Sequence, residues 1–292
     1  MGNYLEFTNT GGNAIFVAVG KLNSCVIFDD LRMKCWGSNV YGQLGFGHTN
    51  NSGDEPNEMG DYLPFTNAGT GLIFTNVEIG NDWVMATTMD MKMKGWGLGD
   101  RGQLGQESAD DIGDEPGEMG DYLPFIQLGT NLSMLDSSTG DWHTCVRFNN
   151  GELVKCWGDN WIGALGYGNN NDQGKNPGTM GDYLPFANLG TGVVVSQLAM
   201  GNDGSCVMTN DGKAKCFGWN DHGALGYGDT NNRGNQVSQM GDYLPFIDFG
   251  TNNSIISISS MGEHHACVIL DSFEVKCWGA NYFGFFFYFD FF

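Results

Sequence analysis

Short runs that alternate apolar and polar residues recur along the whole chain, and none lengthens into a sustained 3.6-residue period. Residues 132–189 show the unit. Leu132 to Thr139, His143 to Phe148, Leu153 to Gly158 and Leu184 to Leu189 each read as a strand, labelled A to D in chain order. Asn149-Asn150-Gly151 separates B from C, and Asn210-Asp211-Gly212 does the same further on. Such triplets are hairpin signals, because Gly supplies a positive-φ residue. A long polar loop follows C. The pattern therefore predicts antiparallel strands joined by turns, with no room for helices.

The unit is repeated. Gly-Asp-Tyr-Leu-Pro-Phe begins at Gly60, Gly120, Gly181 and Gly241, with a degenerate Gly-Asn-Tyr-Leu-Glu-Phe at Gly2. Lys-Cys-Trp-Gly begins at Lys34, with counterparts at Lys94, Lys155, Lys215 and Lys276. Two unrelated motifs at one period define five tandem repeats in a single domain, 1–292: repeats 2–59, 60–119, 120–180, 181–240 and 241–292, the last incomplete. Four strands in each ~60-residue unit predict an all-β propeller of four-stranded antiparallel blades. A stacked solenoid is the alternative. The Leu-Pro-Phe triplets at Pro64, Pro124, Pro185 and Pro245 place Pro at the start of D, where an edge strand tolerates a missing donor.

Composition narrows the function. Gly accounts for 46 of 292 residues without a G-X-Y period, which means many turns and excludes collagen. With 13 Lys+Arg against 34 Asp+Glu, the formal charge of −21 excludes nucleic acid and anionic membrane surfaces as partners. The aromatic tail from Phe283 is far too short for membrane insertion. It keeps register with Asn39 to Gly47, yet Phe285, Phe287 and Phe289 replace Gln43, Gly45 and Gly47, which puts bulk where the other repeats turn on Gly.

The eight cysteines fall at one place in the unit: Cys25/Cys35, Cys145/Cys156, Cys206/Cys216 and Cys267/Cys277. The second repeat has Met85 and Gly95 there, so both members vanish together, as partners in a bond would. A spacing of 10 or 11 residues spans the B–C hairpin and brings opposed Cα atoms to about 5.5 Å. Zinc would need converging ligands from neighbouring units, and no Cys-x-x-Cys or recurring His supplies them. Reduced core cysteine is the bland reading. Four disulfides are the expectation, and they place the protein outside a reducing cytosol.

Other candidates carry less. Asn50, Asn131 and Asn252 open glycosylation sequons. Asp110, Asp111, Asp114 and Glu115 crowd one C–D loop as calcium candidates, although their spacing fits no EF-hand and Asp commonly makes turns. Trp36, Trp96, Trp157 and Trp278, with Phe217 in the fourth repeat, are an aromatic ligand platform or, in the preferred reading, packing between blades. His143 and His265 share one repeat position and read as structural. No catalytic set or cofactor motif stands outside the repeat, so no enzyme is expected.

Gly140-Asp-Trp-His-Thr-Cys-Val, Val154-Lys-Cys-Trp-Gly and Asn39-Val-Tyr-Gly-Gln-Leu-Gly-Phe-Gly together resemble the repeat of the regulator of chromosome condensation family. The trailing Gly113-Asp-Glu-Pro-Gly-Glu-Met-Gly-Asp-Tyr-Leu-Pro-Phe resembles a Cys-paired subgroup found in secreted and surface proteins. The resemblance covers nearly the whole chain and implies a propeller, usually of seven blades. Tyr4 to Thr10 match a strand D, and Ile255 to Gly279 supply A, B and C, so five blades could close a ring. The family's blade number favours an arc of a longer propeller instead. Its best-known role, guanine-nucleotide exchange on a small GTPase, is disfavoured by the acidity and by the paired cysteines. The sequence thus points to an extracellular, disulfide-stabilised structural or adhesive protein of a cell-surface coat or filament, acting by protein contacts and self-association. The alternative is a secreted binding module that captures a protein on one face.

Overall fold

A computed structural model describes residues 6–282, apart from 252, 260 and 263. The aromatic tail after Tyr282 and the sequon residue Asn252 lie outside the described residues. Among the described residues, fifteen strands form five three-stranded antiparallel sheets, each taking three consecutive strands in order. The first repeat gives β1 (Ala14–Val19), β2 (Asn23–Phe28) and β3 (Met33–Gly37). The second gives β4 (Phe74–Ile79), β5 (Trp83–Thr88) and β6 (Met93–Gly97), and the third β7 (Met134–Thr139), β8 (His143–Phe148) and β9 (Leu153–Gly158). The fourth gives β10 (Val195–Met200), β11 (Gly204–Thr209) and β12 (Ala214–Gly218), and the fifth β13 (Ile255–Ile258), β14 (His265–Leu270) and β15 (Val275–Gly279). Short 3-10 turns and isolated β-bridges, such as Gly97 with Ile112, supplement them among the described residues. No helix there is long and apolar enough to cross a membrane.

Strands B and C begin and end where the third repeat predicts, while A starts at Met134 and not at Leu132. The fourth strand is a correction. Run D, Leu184 to Leu189 in the unit at residues 132–189, is no strand but an extended segment that follows a 3-10 turn, Gly181–Tyr183. That segment donates one backbone bond per repeat to strand C: Thr66 to Met33, Ile126 to Met93, Ala187 to Val154 and Ile247 to Ala214. Pro at its second position has no N–H to give, so the ladder cannot continue.

The chain packs as two compact units, residues 1–100 with 110–126, and residues 101–109 with 127–292. In the first, Val77, Val84, Ala86 and Trp96 meet Cys25, Ile27 and Leu44 in one apolar cluster. In the second, the Cys145, Leu165 and Phe217 cluster and the Cys206, Leu225 and Val268 cluster repeat the theme. The recurring Trp is a packing residue. Trp96 and Trp157 are fully buried, and their indole N–H groups donate to the Gln43 and Gln103 carbonyls at 3.1 and 3.0 Å. Trp278 reaches Ala224 O at 2.8 Å in the same way. Gly226 shows why the following turn needs Gly: its φ is +78° and a Cβ there would lie 2.9 Å from the Trp278 indole nitrogen.

A cation recurs inside this acidic chain. Lys34, Lys94, Lys155 and Lys215 are 2–3% exposed. Lys94 Nζ donates to Ala68 O and Gly120 O at 2.6 and 3.2 Å, and Lys215 Nζ to Leu189 O and Gly241 O at 2.7 and 2.9 Å. Lys155 clasps Leu128 O and Gly181 O in the same way. Each of these three ammonium groups thus joins the stretch before its sheet to the 3-10 turn after it. It also sits over the Phe of Leu-Pro-Phe, 4.8 Å from the Phe125 ring for Lys94 and 4.7 Å from Phe246 for Lys215. A buried charge persists only where hydrogen bonds replace water, and two carbonyls and a ring face do so here. Burial holds the three lysines below their ordinary range, against the opposing pull of Asp121, Asp182 and Asp242.

Candidate functional site

The C–D loops are organised from within. Asn39, Asn160 and Asn220 are fully buried. Asn160 Nδ2 donates to Asn169 O and Asn171 O, while its Oδ1 accepts the Leu165 N–H at 2.9 Å. Asn220 repeats this with Asp229, Asn231 and Leu225. Loop acids cap backbone: Asp111 accepts the Gly99 N–H at 2.9 Å, and Glu118 accepts those of Gly113 and Glu115 at 2.8 and 3.1 Å. Burial raises the Asp111 pKa, reinforced by Asp114, Asp100 and Asp110. Among the described residues no three His, Cys, Asp or Glu side chains form a metal cluster.

The repeat breaks one to four residues after each Lys-Cys-Trp-Gly. Asp159 stands where other repeats have Ser38, Leu98, Trp219 and Ala280, and Trp161 where they have Val40, Asp100, Asp221 and Tyr282. Arg101 replaces Tyr41, Ile162 and His222. The fold gathers Arg101, Asp159 and Trp161 at a cleft of about 620 Å³, with Asp172, Gln173 and Lys175 on its walls. Arg101 Nη1 bonds Asp159 Oδ1 at 3.2 Å, across a boundary where the carboxylate is 7% exposed and the guanidinium 48%. Burial raises the Asp159 pKa to about 6, Asp172 adds to the rise, and Arg101 opposes it. Trp161 is 51% exposed, and its indole N–H is fixed on Asp203 Oδ1 at 3.2 Å. The result is a held aromatic ring beside a partly desolvated ion pair. No sequence expectation named this group. Aligning the repeats on Lys-Cys-Trp-Gly and looking just downstream would have exposed it.

The same positions later in the chain carry Trp219, His222 and Tyr282. His222 and His264 lie edge to face at 5.3 Å, His264 meets Trp219 at 5.0 Å, and the Tyr282 hydroxyl reaches His222 Nδ1 at 2.8 Å. Residue type thus changes from repeat to repeat at these positions.

The predicted cysteines are joined as Cys25–Cys35, Cys145–Cys156, Cys206–Cys216 and Cys267–Cys277, each with Cα atoms 4.1 Å apart. That distance belongs to a non-hydrogen-bonded cross-strand pair, not to the wider pair expected from the hairpin. Met85 and Gly95 face each other at the same register. Asn50 and Asn131 are exposed. His143 is 1% exposed, its Nε2 2.8 Å from Ser205 Oγ, which in turn donates to Ala164 O at 2.7 Å. The Ser proton being so used, His143 Nε2–H is the donor. Burial lowers its pKa to about 4.

Residues 195–224 match the regulator of chromosome condensation (RCC1) repeat. The chain is 27% identical over 235 residues to the human probable E3 ubiquitin-protein ligase HERC4, covering 79% of this chain and 20% of that protein. It is 26% identical over 250 residues to the Arabidopsis thaliana ultraviolet-B receptor UVR8, covering 85% and 49%. It spans about half or less of these relatives. Human WBSCR16 superposes with a TM-score of 0.65 at 21% identity, over 91% of this chain and 60% of that one. Yeast RCC1 (Prp20), in complex with Kap60, gives 0.64 at 15%, over 92% and 56%. The CRINKLY WD40 ectodomain of the Arabidopsis thaliana receptor kinase ACR4 gives 0.51 at 16%, over 92% and 69%. These likenesses define the class: an all-β protein whose sheets are of propeller type. More particularly, residues 195–224 are similar to the repeat of the regulator of chromosome condensation family, and four of the five described sheets carry a disulfide.

Proposed function

We propose that the chain is an extracellular interaction module that captures a protein partner through the rim formed by Arg101, Asp159 and Trp161. One observation carries the reading: a half-exposed Trp, fixed by its own hydrogen bond, beside an Arg–Asp pair at the place where the repeat changes residue type. Trp and Arg in partly desolvated surroundings dominate interface energetics. Four disulfides support a non-reducing compartment. The yeast protein of this fold is seen with a protein bound, and the fold also serves as a receptor ectodomain. We assign no catalysis, since the ligase relative is matched over only 20% of its length. The exposed Asn50 and Asn131, together with Asn252, are the proposed glycan sites. The test is affinity capture from the extracellular fraction with wild type and Trp161→Ala. A partner retained by wild type and lost by a variant of unchanged thermal stability supports the reading; identical captures overturn it.

A second reading, a structural or adhesive protein, draws on β1. Ile15, Val17 and Val19 are 60, 62 and 72% exposed, although Val77, Leu198 and Ile258 at the position of Val17 are 1, 7 and 1% exposed. An apolar strand face left open is suited to end-to-end association. Sedimentation would show assemblies that Val17→Lys dissociates; a monomer at all concentrations rejects it.

A further inference from the structure

Every residue of the Gly-Asp-Tyr-Leu-Pro-Phe turn has a structural task except one. The Gly takes positive φ, from +64° to +74°. Asp121, Asp182 and Asp242 accept the backbone N–H and hydroxyl of Thr70, Thr130 and Thr191. The Leu is 1% exposed, the Pro ends the ladder, and the Phe lies under the Lys ammonium. The Tyr does none of this: Tyr62, Tyr122, Tyr183 and Tyr243 are 72, 82, 81 and 76% exposed. Other exposed positions change type from repeat to repeat, as Val40, Asp100, Trp161 and Asp221 do. The Tyr has not drifted, so something other than the fold keeps it.

Tyr243 has space on both sides. One cleft, of about 260 Å³, is walled by Asn232, Ser238, Gln239 and Pro245. The other, of about 600 Å³, is walled by Asn188 and Thr191. Gln239 Oε1 is a buried acceptor without a hydrogen-bond partner. The charged side chains nearby are already paired: Asp242 with Thr191, and Arg233 with Asp229 at 2.8 Å. An exposed ring edged by amides and hydroxyls, with no unpaired charge, offers an apolar platform and neutral hydrogen-bonding groups.

We propose that Tyr243 and its two clefts form a subsite for a neutral hexopyranose unit of a polysaccharide. The sugar's C–H face stacks on the ring, and one hydroxyl donates to Gln239 Oε1. Tyr62, Tyr122 and Tyr183 present the same ring in their own repeats. The formal charge of −21 selects against uronate or sulfated chains. The test titrates the intact chain with neutral hexasaccharides of β-linked glucose, mannose, xylose and N-acetylglucosamine, and with heparin hexasaccharide and hexalysine, read by saturation-transfer NMR and calorimetry. At least one neutral hexasaccharide is expected to bind. Tyr243→Ala should weaken that binding about tenfold, and Gln239→Leu less, while Tyr243→Phe and Trp161→Ala retain it. Because Tyr243 is exposed, circular dichroism should be unchanged in the variants. Absence of binding by every neutral hexasaccharide overturns the proposal, as does equal binding by Tyr243→Ala. Hexalysine binding that Tyr243→Ala abolishes also overturns it, in favour of a basic peptide.

Discussion

The second and third repeats build the same three strands in the same register, yet they do it with different chemistry. Where the third has the Cys145–Cys156 bond, the second has Met85 opposite Gly95. Where the third buries His143, the second buries Trp83. Just past Trp157 the third turns charged and aromatic, with Asp159 and Trp161, and past Trp96 the second has Leu98 and Gly99. A sheet can thus form here without a disulfide, because Met85 and Trp96 fill the interior and the Lys94 clasp is intact. The disulfide is an addition to a sufficient fold, and its main effect is on the unfolded chain.

The largest break in this comparison should come from Cys145→Ala with Cys156→Ala. Opening a loop of this length is expected to lower unfolding free energy by about 3 kcal/mol, measured by denaturant titration, while circular dichroism keeps its strand signature. Acid should come next. His143 binds its proton more weakly in the fold than in the unfolded chain, so its stability is complete above pH ~6.5 and falls as pH drops towards about 4. The loss is on the order of 2–3 kcal/mol, and His143→Gln should flatten it.

What the sequence disclosed follows the same divide. Strands B and C were legible because Cys and Trp mark fixed points on alternating runs, and the joint absence at Met85 and Gly95 exposed the pairing. Strand D was misjudged because its apolar run outweighed a Pro that leaves it one ladder bond. The burial of Lys34 and its counterparts is not legible, because a Lys in an alternating strand reads as solvent-facing. Nothing local in Lys-Cys-Trp-Gly signals that the ammonium reaches carbonyls 26 residues away on either side. Arg101 and Trp161 are not legible in the sequence, because each departs from the repeat that gives the other residues their meaning.

The comparison can also be sharpened from the other side. Met85→Cys with Gly95→Cys places thiols at the register the other repeats use, and should form a fifth disulfide worth about 1–2 kcal/mol, read by mass shift on reduction and by melting. The smallest effect is expected at Asp159. Its folded pKa is raised, so the fold is favoured in full below pH ~4 and loses that contribution as pH rises through about 6. Asp159→Asn should therefore gain about 1 kcal/mol at pH 8 and nothing at pH 3.5, after allowing for the partly exposed pair. An equal gain at both values would reject the assignment.

The lysine clasp decides where this chain can be cut. One ammonium holds residues 128 and 181 together, so the natural-looking seam at Gly-Asp-Tyr-Leu-Pro-Phe runs through the middle of a joint. Permuted termini or grafted repeats placed there would separate the two carbonyls that Lys155 needs. Breakpoints at 187–188, just past Gly-Asp-Tyr-Leu-Pro-Phe, fall between the Gly181 carbonyl of one clasp and the Leu189 carbonyl of the next and leave both whole. An engineer lengthening or shortening the array should count modules from the end of one such motif to the end of the next, not from its first Gly.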